Sequence, residues 1–504
     1  MSTPSPPAPA PVRLLALVAV AFAAAVYLPI TRNFFYAEDF FTLYRLVNGG
    51  FLRFVLEPEA GHVYVVRNGL VYLFDALFGP RPLAIFAAVL ATHLLNVALV
   101  FAIVRRLTGS VRLACFGATL WGTSPVQEGA LGWYAVYGQV VATAIVLAVL
   151  RDLVHRAEDA HDVRPRSVWA WCGLLLLAST CFGVAVGVAL VFPAVAVLLR
   201  PGLRTRAALW RPLVVLPFAT VALYAGLHLL WAETSGESVA GVWDLLGGWM
   251  SVASMLVHLA GAGIAGTVLG GVYPAARYPA PLALAALAAF AAALAFASVR
   301  AGRAARRHAA AVAVVALACY ATIAAGRAEL FVALHRPLAP AAAAFRYHYL
   351  ASAALTVVVC WVLHRVSTPA MTRWPNAVLV GALAALALSL RAAPAIDHHD
   401  QARRETTEVL DTARTHAAAA PPGSTVYIEN RRFASVAIFV VEHPALFPGW
   451  AAVFLVFQRR NVLDGRTVQF VARDPRELEA AHRGGPIAAL LVAPEAVAGR
   501  RGTS

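Results

Sequence analysis

The sequence contains no lysine: all 41 of its basic residues are arginine. It is also poor in charge of either sign. Charged residues make up 13% of the chain and apolar residues 60%, whereas soluble domains carry about a quarter charged residues. A water-soluble core of this size needs a polar shell, and too few polar residues exist to build one. The five cysteines, Cys115, Cys172, Cys181, Cys319 and Cys360, all fall in apolar runs. That spacing supports neither a disulfide framework nor a CxxC metal motif. There is no GxxxxGK[ST], hence no sign of an ATP-driven machine, and no GxGxxG opening a cytosolic βαβ unit, hence no support for a nucleotide site.

What is present is a series of apolar runs of roughly 15–23 residues, the length that crosses a bilayer as a helix. Mean hydropathy is +0.70. The net charge of +15 does not point to nucleic acid, because the arginines cluster between apolar runs, as the positive-inside rule expects. Alanine-rich, lysine-free composition suggests a bacterial, GC-rich source. The sequence therefore predicts an α-helical polytopic membrane protein in a bacterial inner (plasma) membrane.

Residues 1–12 form a Pro-rich tail. The first run, Arg13–Ile30, reads as an uncleaved span rather than a signal peptide, since no small-residue cleavage site precedes a polar start. Residues 31–81 are mixed and read as an outer loop with amphipathic helices at the interface. Further spans are expected over Leu83–Val104, Leu113–Gln127, Tyr134–Leu150, a tight pair within Val168–Leu199, then Leu213–Trp231, Leu282–Val299, Ala309–Ala325, Tyr349–Leu363 and Val378–Leu390. Gly247–Gly271 is apolar, but a full span there would put the Arg300–Arg307 cluster outside, so it reads as re-entrant or interfacial. The membrane domain is then 13–391, with about 11 spans, a cytoplasmic N-terminus and an extracytoplasmic C-terminus. Residues 392–504 read as a small α/β extracytoplasmic domain. Its strands are expected at Ser424–Glu429, Thr467–Ala472 and Ile487–Val492. A helix over Arg476–His482 is capped by Asp474-Pro475.

Several groups are candidates for chemistry. Glu38-Asp39 follows the first span among Phe34, Phe35, Tyr36, Phe40 and Phe41. Adjacent carboxylates in an aromatic setting raise the proton affinity of one, which suits a general base; the alternative is a solvated turn capping the next helix. His62 and Arg67 lie on an interfacial segment and could contact a headgroup or simply snorkel. His93 and Asn96 sit inside a span, one turn apart, and read as structural hydrogen-bonding groups. Arg327, Arg336 and Arg346 fall outside against the positive-inside bias, so an anion should compensate them, either the phosphate of a headgroup or, alternatively, Glu329 or an acidic outer loop. Tyr347 flanks Arg346 at headgroup depth. Asp397-His398-His399-Asp400 reads as a solvated turn rather than a metal site, because only its two aspartates have chelating spacing on a helix.

These residues, in this order, resemble the GT-C superfamily of polyprenyl-phosphate-sugar-dependent glycosyltransferases, in particular bacterial relatives of the protein O-mannosyltransferases and of the TPR-containing transmembrane mannosyltransferases. The acidic pair before an aromatic is Glu38-Asp39-Phe40, Glu replacing the usual first Asp. An interfacial helix opens after Gly61-His62 and ends in Leu77-Phe78-Gly79. His93-Leu94-Leu95-Asn96 runs through to Arg105-Arg106-Leu107-Thr108-Gly109. Pro125-Val126-Gln127-Glu128 and Trp133 close the next span, and Arg346-Tyr347-His348-Tyr349-Leu350 opens a late one. The Lys-Glu that relatives often carry near Ser179-Thr180-Cys181 is missing.

The resemblance implies inverting transfer of a sugar from a polyprenyl-phosphate donor to an acceptor hydroxyl at the outer face, in cell-envelope assembly. Asp39, with Glu38, would be catalytic. Arg346, Arg327, Arg336, His62, Arg67 and Tyr347 would bind the substrate. The partners implied are the lipid-linked sugar, membrane lipid and an acceptor glycan, lipid or protein. No metal site is indicated, although a divalent ion is compatible with the class. A non-enzymatic transporter or export partner for lipid-linked envelope glycans would use the same arginines without needing a base. The topology is directly testable: alkaline phosphatase fused at the C-terminus is expected to be active, and an active cytoplasmic reporter there would overturn the loop assignments.

Overall fold

The computed structural model describes residues 9–33, 50–59, 61–79, 81–156, 163–235, 248–269, 279–366, the strands 425–429, 467–471 and 487–492, and the positions 39, 42, 45, 46, 379–381, 383 and 384. The chain divides into two compact units, Met1–Arg32 with Val55–Ile396, and Asn33–Phe54 with Asp397–Ser504.

The first unit is helical, as lipid requires of a spanning backbone with no water to satisfy its N–H and C=O groups. Its main helices are α1 (Pro9–Tyr27), α2 (Val65–Phe78), α3 (Pro82–Thr108), α4 (Val111–Gly122), α5 (Tyr137–Arg156), α6 (Pro165–Ser179), α7 (Val184–Leu199) and α8 (Ala207–Ser235). They continue with α9 (Trp249–Leu269), α10 (Ala280–Val299), α11 (Arg303–Ala333) and α12 (Tyr349–Val366). Eight described segments are long and apolar enough to cross a membrane, and the protein is a multi-pass helical membrane protein. The expected tight pair within Val168–Leu199 is α6 and α7. Local chemistry sets the ends. Pro82 and Pro165 begin helices at the first position, where a missing N–H costs nothing. Gly109 ends α3 in the left-handed region at φ 68°, which glycine adopts without strain. The Ser110 side chain then accepts from the Leu113 N–H at 3.2 Å and starts α4.

The bundle has two unlike ends. At one, the loop 123–136 meets Tyr27, Arg67 and the 345–347 turn. This is the mouth face. At the other, α3 ends in Arg105-Arg106, α7 runs into Arg200, α11 begins at Arg303 and α12 ends near Arg365. Arg106 Nη2 donates to the His155 carbonyl at 3.1 Å and ties α3 to α5 there. This is the basic face.

Helix α9 covers the stretch read as re-entrant or interfacial. It is one unbroken helix of 21 residues, long and apolar enough to span by length and composition. Its partners nevertheless belong to the mouth face. Gly248, just before it, lies against the Glu329 carboxylate, Gly263 against Tyr320 and His348, and Gly266 against Val126. Helix α10 starts at the same level, with Ala283 under Gly261, and therefore runs from the mouth to Arg300 at the basic face.

Polar side chains inside the bundle are stitched together, as expected of His93 and Asn96. His93 Nε2 lies 3.0 Å from the Gly122 carbonyl and so donates. Nδ1 then accepts from the Tyr349 hydroxyl at 2.7 Å. Asn96 Nδ2 donates to the Val140 carbonyl at 3.0 Å, and Trp121 Nε1 to Ser352 Oγ at 3.0 Å. The five cysteines are buried and free.

In the second unit, Thr425–Glu429, Thr467–Val471 and Ile487–Val492 form a parallel sheet with the first strand central. The expected strand positions are met within a residue. The expected helix over Arg476–His482, the Asp397–Asp400 turn and most of Val378–Leu390 lie outside the described residues.

Helix packing generates a prediction. A Cβ at Gly187 would overlap Thr322 Oγ1 and the Ala318 carbonyl, so α7 and α11 approach at this point, while Gly226 on α8 has open space around it. Gly187→Val is expected to lower the melting temperature of the detergent-solubilised protein, overpacking costing about 1–3 kcal/mol. Gly226→Val, measured alongside, should leave it nearly unchanged.

Candidate functional site

The mouth is organised around Arg67, which is 2% exposed. A charge at that depth persists only if it is paired and hydrogen-bonded. Nη2 pairs with Glu59 Oε2 at 2.9 Å, Nη1 donates to the Ala135 carbonyl at 3.1 Å, Nε donates to Asn68 Oδ1 at 2.9 Å, and the guanidinium lies 3.7 Å from the Tyr64 ring centre. Arg67 thus fastens α2 to the loop 123–136. The Glu59 end is delivered by a tight turn in which Glu59 and His62 exchange backbone hydrogen bonds, both 2.9 Å. Gly61 makes it possible at φ 75°, a region that other residues enter only with strain.

His62 packs with Phe182 and Tyr64 in a three-ring cluster, its ring centre 5.6 and 5.3 Å from theirs and theirs 5.8 Å apart. Its Nε2 lies 3.2 Å from Arg327 Nη2. A guanidinium only donates, so His62 must accept and is neutral. Burial, and then the charges of Arg327 and Arg67, push its pKa down to about 3. The hairpin between α6 and α7 closes over it. The Val66 N–H donates to the Thr180 carbonyl at 3.2 Å, the Tyr224 hydroxyl to the Ser179 carbonyl at 2.6 Å, and a Cβ at Gly138 would overlap the Cys181 carbonyl.

Arg327 is half-buried, and among the described residues its guanidinium makes this one hydrogen bond and no ion pair. The remaining N–H groups of a rigid five-donor fork are available to a ligand. Arg346 sits across the mouth. Its Nη2 donates to the Tyr347 hydroxyl at 3.3 Å, and its guanidinium lies 5.1 and 5.4 Å from the Tyr347 and Trp133 ring centres. It does not pair with Glu329, whose carboxylate lies against Gly248 with Oε1 buried and lacking a hydrogen bond.

The loop 123–136 joins the two arginine groups: Ala135 receives Arg67, Trp133 faces Arg346, and a Cβ at Gly129 would overlap the Arg346 backbone nitrogen. Within this loop stands Glu128. Its carboxyl group forms no hydrogen bond or ion pair among the described residues, and burial pushes its pKa up to about 8. At neutral pH it is an uncharged acid, hydrogen-bond competent and not repelling an anion. Sequence reading saw Glu128 only as part of a motif, and the signal for a role was its place in Pro125-Val126-Gln127-Glu128.

Of the residues expected in the site, His62, Arg67 and Arg327 come together, and Arg346 with Tyr347 lies across the loop. Arg336 is exposed, just beyond His335 at φ 53°, and joins neither group. Asp39 is fully buried. Glu38 lies outside the described residues. No group of side chains that could hold a metal occurs among the described residues.

No family model matches the chain, and no curated protein matches it. Among solved structures it is similar to the Archaeoglobus fulgidus oligosaccharyltransferase in complex with zinc and sulfate, at 14% identity over 85% of this chain and 61% of that one, TM-score 0.40. The same enzyme tethered to an acceptor peptide containing the NVT sequon matches at 13% identity over 89% and 68%, TM-score 0.40. ArnT from Cupriavidus metallidurans bound to undecaprenyl phosphate matches at 14% identity over 89% of each chain, TM-score 0.34. The chain spans about three fifths of the oligosaccharyltransferase in the first of these.

The Arg67 pair is testable on its own. Glu59→Ala leaves a buried guanidinium short of its counter-charge and is expected to destabilise the protein by about 3–5 kcal/mol. Arg67→Met with Glu59→Leu should recover much of the loss in a thermal melt, because an apolar pair replaces two desolvated charges.

Proposed function

We propose that the protein is a GT-C-like membrane glycosyltransferase that moves a sugar from a polyprenyl-phosphate donor to an acceptor hydroxyl at the outer face of the membrane, with inversion. The observation that carries this reading is Arg327: a half-buried guanidinium, steadied by a neutral histidine, with no carboxylate partner among the described residues. Such a group is suited to a phosphate, which accepts two parallel hydrogen bonds from the fork.

In this reading Arg327 holds the phosphate that becomes the leaving group, and Arg346 contributes charge from the other side of the loop. Arg67 and His62 position rather than bind: one holds α2 down, the other orients Arg327. Glu128, neutral, lets an anion approach and can donate a hydrogen bond to it. The acceptor oxygen attacks the anomeric carbon as the bond to the phosphate oxygen breaks, and the electron pair leaves on the phosphate. Asp39, with Glu38, takes the acceptor proton, a role assigned from the order of residues along the chain. Asp397 onward and the N-terminus are proposed to lie on opposite sides of an inner membrane, with the mouth facing out.

The test is transfer from a labelled polyprenyl-phosphate sugar in reconstituted vesicles. Asp39→Asn is expected to lower transfer about 100- to 10,000-fold with insertion intact, with Glu38→Gln less severe. Arg327→Lys should weaken donor binding, and Arg327→Ala more so. Arg346→Ala should do the same without mimicry by Glu329→Ala. Full activity in the Asp39→Asn, Glu38→Gln double variant would overturn the base assignment. Donor use without any transfer in the wild type would favour the transporter.

Glu128 sets a pH dependence of defined sign. Its pKa in the folded protein is raised to about 8, so the neutral form persists below that pH and is lost above it. Donor affinity is expected to fall as pH rises through about 8, and Glu128→Gln should flatten the profile.

A further inference from the structure

The turn that carries Arg346 has little of its own to hold it in place. Residues 341–344, just before it, are all alanine and offer no side-chain hydrogen bond. The local backbone supplies two short-range bonds, from the Tyr347 N–H to the Ala344 carbonyl at 3.0 Å and from the His348 N–H to the Phe345 carbonyl at 3.1 Å. They close the single turn Phe345–Tyr347 without tying it to a neighbouring helix. Its guanidinium nevertheless has a defined seat, beside the rings of Tyr347 and Trp133.

His348 supplies the tie. It is 2% exposed, and its Nε2 lies 2.9 Å from the Ala342 carbonyl, six residues earlier. A carbonyl only accepts, so Nε2 carries the proton and donates. This bond closes the stretch 342–348 into a loop with Arg346 inside it. Burial pushes the His348 pKa down to about 4, so the ring is neutral and Nδ1 accepts. Its donor is the buried Tyr320 hydroxyl of α11, 3.0 Å away. The two rings meet edge to face, with centres 5.5 Å apart. Both ring nitrogens are thereby engaged, and turning the imidazole breaks two buried hydrogen bonds.

Helices and loop close around this pair. On α9, a Cβ at Gly263 would overlap the Tyr320 hydroxyl and come within 3.2 Å of His348 Nδ1. In the loop 123–136, a Cβ at Gly129 would overlap the Arg346 backbone nitrogen. The loop contact limits how close the turn can come. The imidazole contact fixes its direction, because a hydrogen bond weakens steeply when misaligned.

We infer that His348, oriented by Tyr320, is a positioning residue for Arg346: it closes the loop 342–348 so that the guanidinium faces the phosphate of the lipid-linked donor. The inference rests on the reading of Arg346 given above, as a group that contributes charge to that phosphate. His348 itself touches no substrate and exchanges no proton. Its leverage comes from distance, since displacing a positioned group by about 1 Å can cost up to about 100-fold.

Equilibrium binding of radiolabelled undecaprenyl phosphate to the purified full chain tests this, with melting temperature recorded on the same samples. His348→Leu is expected to weaken binding about tenfold. His348→Gln, which keeps an amide N–H for the Ala342 carbonyl, should restore most of the loss. Tyr320→Phe removes only the orienting hydroxyl and leaves the imidazole in place, so it serves where His348→Leu does not fold; a loss of about threefold is expected. The double variant Arg346→Ala, His348→Leu should bind no more weakly than Arg346→Ala alone, because two residues acting through one contact do not add. Unchanged binding in both His348→Leu and Tyr320→Phe would overturn the inference. So would full additivity in the double variant, which would mean a general structural defect. Normal binding by Arg346→Ala is a different failure: it would end the Arg346 reading and this inference with it.

Discussion

Arg67 is the interaction on which the mouth of this protein depends. One buried guanidinium ties together three stretches of chain: the turn carrying Glu59 and His62, the helix Val65–Phe78, and the loop 123–136 through Ala135. Its cost of burial is offset by an ion pair, two further hydrogen bonds and the face of Tyr64. With that anchor in place, His62 packs against Phe182 and Tyr64 and points its one available acceptor at Arg327. The exposed apolar residues of α2, among them Leu73, Leu77 and Phe78, remain on its outer side, where a membrane surface would cover them.

Two classes of arginine follow from this arrangement. Arg67 is satisfied by the protein and serves structure. Among the described residues Arg327 meets one partner, a neutral histidine, and so keeps its full charge and most of its donors. Composition alone cannot separate them, since both are arginines on the same side of the bundle. The difference lies in whether a carboxylate has been folded into reach. Glu59 reaches Arg67 because Gly61 lets the chain turn back, while Glu329, two residues from Arg327, lies instead against Gly248.

The loop 123–136 gives the mouth its second feature, a carboxyl group held neutral. Glu128 has no described partner, and burial leaves the proton as its cheapest counter-charge. An uncharged acid in this loop adds no negative charge to the mouth, so an incoming anion meets no opposing charge from it.

Much of the membrane architecture was legible in the sequence, because hydrophobic length and arginine flanks act locally and each span reports itself. The paired short helices within Val168–Leu199, a helix after His62 and the strand positions beyond residue 424 were all readable in this way. Helix α9 was only half readable. Its apolar length says span, the charge balance of Arg300–Arg307 says otherwise, and only its contacts with Glu329, His348 and Val126 place it at the mouth. The site was less legible still. Arg327, Arg336 and Arg346 look alike as outward arginines, yet one meets a histidine, one is exposed, and one lies between aromatic rings. His62 and Arg327 are 265 residues apart, and no local pattern encodes that meeting. The sequence by itself determined that this chain crosses a membrane many times and where its polar exceptions fall, because burial in lipid is decided residue by residue. The tertiary structure decided which exceptions are satisfied and which stay open to a ligand, because pairing depends on distances that only the packed helices set.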